Sequence, residues 1–173
     1  MIIACIGSGP SLTQDDCDFL RAAKIETIAV NSSWRIAPWA QHIYAGDQAW
    51  WDANIAEIDS PAYRWTCSGN AAEVHGLNFH SASGGYNSGL RAIELAISFG
   101  ADRVILLGYD CSIAEGTHWH GDHDKTKNPT DKRCKVWSNQ FAALDRKGVD
   151  IVNCSRRTEL KCFRRCFLED AIL

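Results

Sequence analysis

The chain is predicted to be a single α/β domain: a Rossmann-like, doubly wound, mainly parallel sheet with helices on both faces. Two observations predict it. Short apolar runs alternate with longer amphipathic segments, and small or polar residues follow the runs directly: GSGPSL, Asn31 and Ser32, Asp47, then Gly108, Tyr109 and Asp110. Such an alternation calls for right-handed crossovers that cover both faces of a parallel sheet. Ligands of these sheets bind beyond the carboxyl ends of the strands, near the point where strand order reverses.

Each element follows from its pattern. IIACI at 2–6 reads as a buried strand, and DDCDFLRAAK at 15–24 as a helix with Asp15 and Asp16 at its positive end. ETIAV at 26–30 is a second strand that closes at Asn31. A third over 41–45 carries HIYA and ends toward Asp47, with a helix QAWWDANIAEI after it and a strand YRWTC at 63–67. NSGLRAIELAISFGA is the clearest helix: Leu90, Ile93, Leu95, Ile97 and Phe99 surround it, and it stops at Gly100. RVILLG at 103–108 is the plainest strand. A helix near 134–147, a strand at 150–154 and a helical tail complete the chain.

Composition excludes several function classes. The 173 residues are 46% hydrophobic and 23% charged, enough for one sizeable core and too short for two ordinary domains. Eighteen basic and 21 acidic residues give a net charge of −3, which argues against bulk nucleic-acid binding or an anionic membrane surface. Basic residues still cluster at Lys125, Lys127, Lys132, Arg133 and Lys135, and again at Arg156, Arg157, Lys161, Arg164 and Arg165. Each cluster is either a solvated face or a local attraction for a phosphorylated ligand. The eight cysteines are scattered with no C-x-x-C pair, which points to free thiols in a reducing cytoplasm rather than a zinc ribbon. MIIACIGSG lacks a basic flank and a long apolar stretch, so it is a strand rather than a signal peptide, and no run suits a membrane span. Seven tryptophans leave room for an apolar patch and a homodimer.

Two turns carry ligand-binding potential. In GSGPSL, Gly7 and Gly9 let backbone approach a ligand, Pro10 suits a first helical position, and Ser8 and Ser11 offer hydroxyls. No G-K-[ST] follows, so this is not a P-loop, and Leu12 replaces the third glycine of the dinucleotide fingerprint. In SASGGYNSG, Asn87 and Ser88 can cap the following helix while its free amides face the ligand side.

The loop GTHWHGDH at 116–123 fits the H-x-H-x-D-H half-site of the metallo-β-lactamases, yet no histidine follows His123 to supply the other half. Three readings remain. His118, His120 and His123 hold a zinc ion with an open position; or the imidazoles and Trp119 pack in a loop; or one histidine accepts a proton, its tautomer set by Asp122 or Asp110. The metal reading is the least favoured of the three. Trp50 and Trp51 read as core, with one of them able to stack on a base. His42, His75 and His80 have no evident partner.

In their order along the chain, G-x-G-P-S-L after the first strand, an asparagine closing the second, S-G entering a buried helix, L-x-G-x-D and the histidine loop resemble the family 42 sialyltransferases. The resemblance extends to their methanogen pterin pyrophosphokinase-like relatives, including short phage and prophage proteins, and spans residues 2–160. It implies a Rossmann-like sheet that binds a cytidine nucleotide sugar without an obligatory metal, with a loop histidine as general base. It places Gly7, Ser8, Gly9, Pro10 and Ser11 around the nucleotide phosphates and ribose, with Asn31 at the second strand end. The family's asparagine after the third strand corresponds to Gly46 or Asp47, and Ser32 is read beside Asn31 from its place after the second strand alone. Asn87, Ser88 and Gly89 match the family's T-S-G, Asp110 its aspartate, and His123 its general base, or His120 with the loop shifted. Ser112 stands where the family has a tyrosine. The implied function is a glycosyltransferase-like transferase acting on a nucleotide sugar. The alternatives are a pyrophosphoryl transferase using Mg²⁺ and a binding module that captures a nucleotide without turnover.

Overall fold

The structure, a computed structural model, describes residues 1–122, 124 and 127–173; His123, Lys125 and Thr126 lie outside the described residues. Eight strands form one sheet: β1 (Ile2–Ile6), β2 (Glu26–Val30), β3 (His42–Tyr44), β4 (Tyr63–Thr66), β5 (Asn78–Phe79), β6 (Arg103–Leu107), β7 (Asp150–Asn153) and β8 (Arg164–Arg165). Their order is β5-β4-β3-β2-β1-β6-β7-β8, and every neighbouring pair is parallel. The helices are α1 (Gln14–Ala22), α2 (Gln48–Asn54), α3 (Gly69–His75), α4 (Ser88–Ser98), α5 (Asp131–Ala142) and α6 (Leu168–Ala171).

The apolar runs become central strands because both of their faces are covered. In β1, Ile3 and Cys5 face one core while Ala4 and Ile6 face the other, and all four are fully buried. The same alternation runs through β6, with Val104 and Leu106 on one side and Ile105 and Leu107 on the other. Helices α1, α2, α3 and α6 cover one face through Leu20, Trp51, Ala71 and Leu168. Helices α4 and α5 cover the other through Leu90, Ile93, Leu95 and Phe141. Burying each large aliphatic side chain contributes about 1.5–3 kcal/mol, so the central strands anchor the fold. The doubly wound expectation holds, and among the described residues no helix is long and apolar enough to cross a membrane.

Helix starts follow local chemistry. Thr13 and Asp16 form a capping box at α1, while Ser68, Asn87 and Thr130 accept backbone N–H bonds at the starts of α3, α4 and α5. Three boundaries differ from the sequence reading. The helix expected after Asp47 ends at Asn54, whose side-chain amide donates back to the Trp50 carbonyl at 2.8 Å, and a 3-10 turn Ile55–Glu57 follows. Helix α5 begins at its Thr130 cap rather than at 134. No helix starts at Arg156 and Arg157, which lie in a loop after β7. The periodicity also gave no sign of α3, β5 or β8.

The unassigned histidines and the tryptophan pair find partners. His42 is buried between Glu26, which its Nε2 meets at 3.0 Å, and Trp65, whose indole N–H donates to its Nδ1 at 3.2 Å. With Nδ1 accepting, Nε2 carries the hydrogen toward Glu26. His75 pairs with Asp52 and His80 with the Tyr44 hydroxyl. Trp50 and Trp51 are both buried, edge to face, and the Trp51 indole donates to the Ala45 carbonyl, so neither presents a face to a ligand.

Strand order reverses between β1 and β6, and there the turns after the two strands cross backbone against backbone. Gly7 N donates to Leu107 O at 2.7 Å and Gly9 N to Gly108 O at 2.8 Å. A Cβ at Gly7 would stand 2.7 Å from Gly108 O, and one at Gly108, where φ is +67°, would stand 2.7 Å from Gly7 O. A Cβ at Gly9 would fall 2.3 Å from the Asp110 carboxylate. These glycines are small because of each other and of Asp110, whatever ligand the turn also meets. Gly108→Val should therefore lower the unfolding free energy by about 3 kcal/mol or more. Urea denaturation with a loss below about 0.5 kcal/mol would mean that the turns separate freely.

Candidate functional site

All of the sequence-derived site residues that the structure describes lie at the carboxyl edge of the sheet. The first turn is fastened to the end of β6. Ser11 donates to the Asp110 carboxylate twice, from its amide at 2.9 Å and its hydroxyl at 2.6 Å. Asp110 is buried; desolvation raises its carboxyl above the usual range, while the Ser11 bonds and Arg157 draw it back down. Both of its oxygens thus serve the Gly9–Ser11 turn. Ser33, next to Ser32, donates to Gly7 O at 2.9 Å and brings the end of β2 against the same turn. Asn31 sits there with φ at +50°, a left-handed conformation that asparagine tolerates.

The start of α4 is tied to both sides of the sheet. The Asn87 side-chain Oδ1 accepts from Leu90 N, and the Ser88 hydroxyl accepts from Gly46 N, both at 2.9 Å. Gly89 O accepts from the buried Tyr109 hydroxyl at 2.9 Å, while Tyr109's own amide and carbonyl are taken by Ser155 and Thr158. Within α4, Arg91 is 2% exposed, and its guanidinium bonds Glu94 and the Ser83 and Gly84 carbonyls and lies 4.7 Å from the Tyr86 ring. It holds the glycine loop ahead of the helix. Asp47 occupies the N-cap position of α2 without a capping hydrogen bond from its side chain.

The histidine loop docks on the first turn. Trp119 N donates to Ser8 O at 3.0 Å, and the Ser8 hydroxyl meets His118 Nδ1 at 3.0 Å. The His118 and His120 rings stack at 5.1 Å with 11° between planes, and Trp119 meets His120 edge to face. Burial and then the charge of Arg35 hold His120 below the ordinary histidine value, so it is neutral at pH 7. Asp122 accepts from Thr117, and Asp110 from Ser11. His123 lies outside the described residues. No protein-family model, curated protein or solved structure matches the chain. The chemistry of the site therefore rests on its own geometry.

Among the described residues no three His, Cys, Asp or Glu side chains are grouped as a metal would need. On the outer side of the first turn, Pro10, Ser11, Thr13, Arg156 and Arg157 line an open groove of about 290 Å³. A second hollow of about 170 Å³ continues it past Pro10, Asp110, Glu115 and Arg157. Arg156 makes a two-pronged pair with Asp16 and Arg157 meets Glu115 at 3.2 Å, so both arginines are already balanced by acids.

The structure thus brings together Gly7, Ser8, Gly9, Pro10, Ser11, Asp110 and His120, with Asn31 and Ser32 beside them. It ties Asn87, Ser88 and Gly89 to Gly46 and Tyr109. Sequence reasoning missed Ser33, Arg35, Arg91 and the Ser8–His118 contact, since none stands in a recognisable spacing. His120 and His80 both have their pKa lowered by burial, so they bind protons more weakly folded than unfolded. Stability should then fall as pH drops below the unfolded histidine value of about 6.5 toward the folded ones. Denaturation between neutral and mildly acidic pH should show this loss, reduced in a His120→Gln variant; an identical pH profile in the variant would remove His120 from the account.

Proposed function

We propose that the chain is a nucleotide- or nucleotide-sugar-dependent transferase, glycosyltransferase-like, that takes its ligand across the ends of β1, β2 and β6. The observation that supports this reading is the docking of the histidine loop on the first turn, His118 on the Ser8 hydroxyl and Trp119 on Ser8 O, at the switch point near which such sheets bind ligands. The amides at the α4 start suit phosphate oxygens, whereas those of Gly7, Gly9 and Ser11 are taken by Leu107 O, Gly108 O and Asp110. Burial and Arg35 keep His120 neutral, the form a general base needs. In this reading His120, or His123, accepts the proton of an acceptor hydroxyl as that oxygen displaces the nucleotide from the sugar carbon in line.

A binding module without turnover is the second reading, favoured by Asp110. Its two oxygens are committed to Ser11, so it holds the scaffold rather than a ligand.

Calorimetry of the chain against nucleotides and nucleotide sugars, followed by a search for product with each binder, separates the two. Binding with turnover is the expected result; His120→Ala or His123→Ala should then cost about 10² to 10⁴-fold in turnover with affinity retained. Binding without product selects the module, and no binding at all rejects both readings. Removing the α4 cap with Asn87→Ala and Ser88→Ala together should weaken nucleotide affinity markedly. Unchanged affinity in that variant would move the ligand away from α4.

A further inference from the structure

The histidine loop leaves the sheet at Cys111, next to Asp110, and returns to it through Cys134 in the first turns of α5. The two cysteines meet. The Cys111 thiol donates to the Cys134 backbone carbonyl at 3.2 Å and lies 3.4 Å from the Ser138 hydroxyl, which donates to that same carbonyl at 3.0 Å. These contacts seat the Cys111 sulfur on the turn of α5 that carries Cys134. Cys111 keeps φ at +50°, a conformation L side chains rarely adopt, and its thiol meets α5. Cys111 is partly exposed and Cys134 buried.

We propose that Cys111 and Cys134 form a thiol–disulfide modification site whose closure ties down the loop that carries His118 and His120. The oxidant is a low-molecular-weight disulfide of the glutathione class. The thiolate of the more accessible Cys111 attacks one sulfur of that disulfide, displacing one small thiol and leaving a mixed disulfide. Cys134, as thiolate, then attacks the Cys111 sulfur and expels the second small thiol. The protein loses two electrons and two protons, which end on the two small thiols. Burial raises both thiols, that of Cys134 to about 11 with Cys111's help, so exchange is slow at neutral pH. The same high values make each sulfur a poor leaving group, so the closed bridge resists reduction.

The experiment incubates the full chain with oxidised glutathione and maps peptides under non-reducing conditions. The expected product is one Cys111–Cys134 cross-link, two hydrogens lighter than the reduced pair, absent in Cys111→Ser and Cys134→Ser. Its rate of formation should rise about tenfold per pH unit on going alkaline. The oxidised chain should melt roughly 5–10 °C higher, reversibly with dithiothreitol. Amide exchange across residues 116–122 should slow several-fold with it. Cross-links from Cys111 to Cys162 or between Cys154 and Cys166 in its place, or glutathione adducts alone, would overturn the pairing. A formed bridge with unchanged exchange in the loop would overturn the tying-down. None of these readouts depends on nucleotide binding.

Discussion

The molecule hangs on a collision. β1 and β6 are neighbours whose chains depart in different directions, so the turns after them contend for one volume and resolve it by having no side chains at Gly7 and Gly108. Once they cross, Gly9 must be small as well, and Asp110 is brought close enough to hold Ser11 by two hydrogen bonds. Tyr109, between Gly108 and Asp110, is left pointing under α4 with its amide and carbonyl fixed by Ser155 and Thr158. Trp119 then finds Ser8 O already in place to accept its amide hydrogen. The first turn is consequently fixed in place, with the amides of Gly7, Gly9 and Ser11 bonded to Leu107 O, Gly108 O and Asp110.

Burial sorts the titratable groups of this edge. The Tyr109 phenol and the Cys5 thiol beneath it are pushed far up by desolvation, so neither ionises near neutrality, and the phenol is a fixed donor to Gly89 O. Asp110 is spent on Ser11. Burial acts the other way on imidazole: it lowers the values of His120 over the first turn and of His80 beside Tyr44, and so favours their neutral forms.

The central architecture was readable because strands covered on both faces need no polar alternation, and IIACI, ETIAV and RVILL have none. Helix α4 declared itself through five large apolar residues and the Asn87 cap. The outer elements were not readable for the opposite reason. GNAAEVH of α3 lacks an apolar stripe, and β5 and β8 are two exposed residues each, held by their neighbours rather than by their own burial. The site residues were legible as positions and less so as roles. A pattern of glycines says that something comes close, yet whether it is a phosphate or the next turn is a matter of tertiary packing. Arg91 is the sharper case: a guanidinium in the middle of a buried helix contradicts periodicity until the Ser83 and Gly84 carbonyls and the Tyr86 ring are seen to receive it.

The sheet narrows at its margins, and this bears on how the chain behaves in a crowd. An open parallel sheet has two rows of unpaired backbone groups that another chain can copy, the usual beginning of edge-to-edge aggregation. Here the outermost strands offer two residues apiece. On one side, Arg164 is drawn to Asp150 and Arg165 turns inward to the Asn153 and Ser155 carbonyls, so the border is short and positively charged. On the other side, Asn78 and Phe79 follow directly on α3, whose end is turned by Gly76 at φ +64°. A strand arriving from solvent finds too little ladder to extend at either border. The long apolar strands that would be hazardous as templates are kept in the middle, where both neighbours are already supplied.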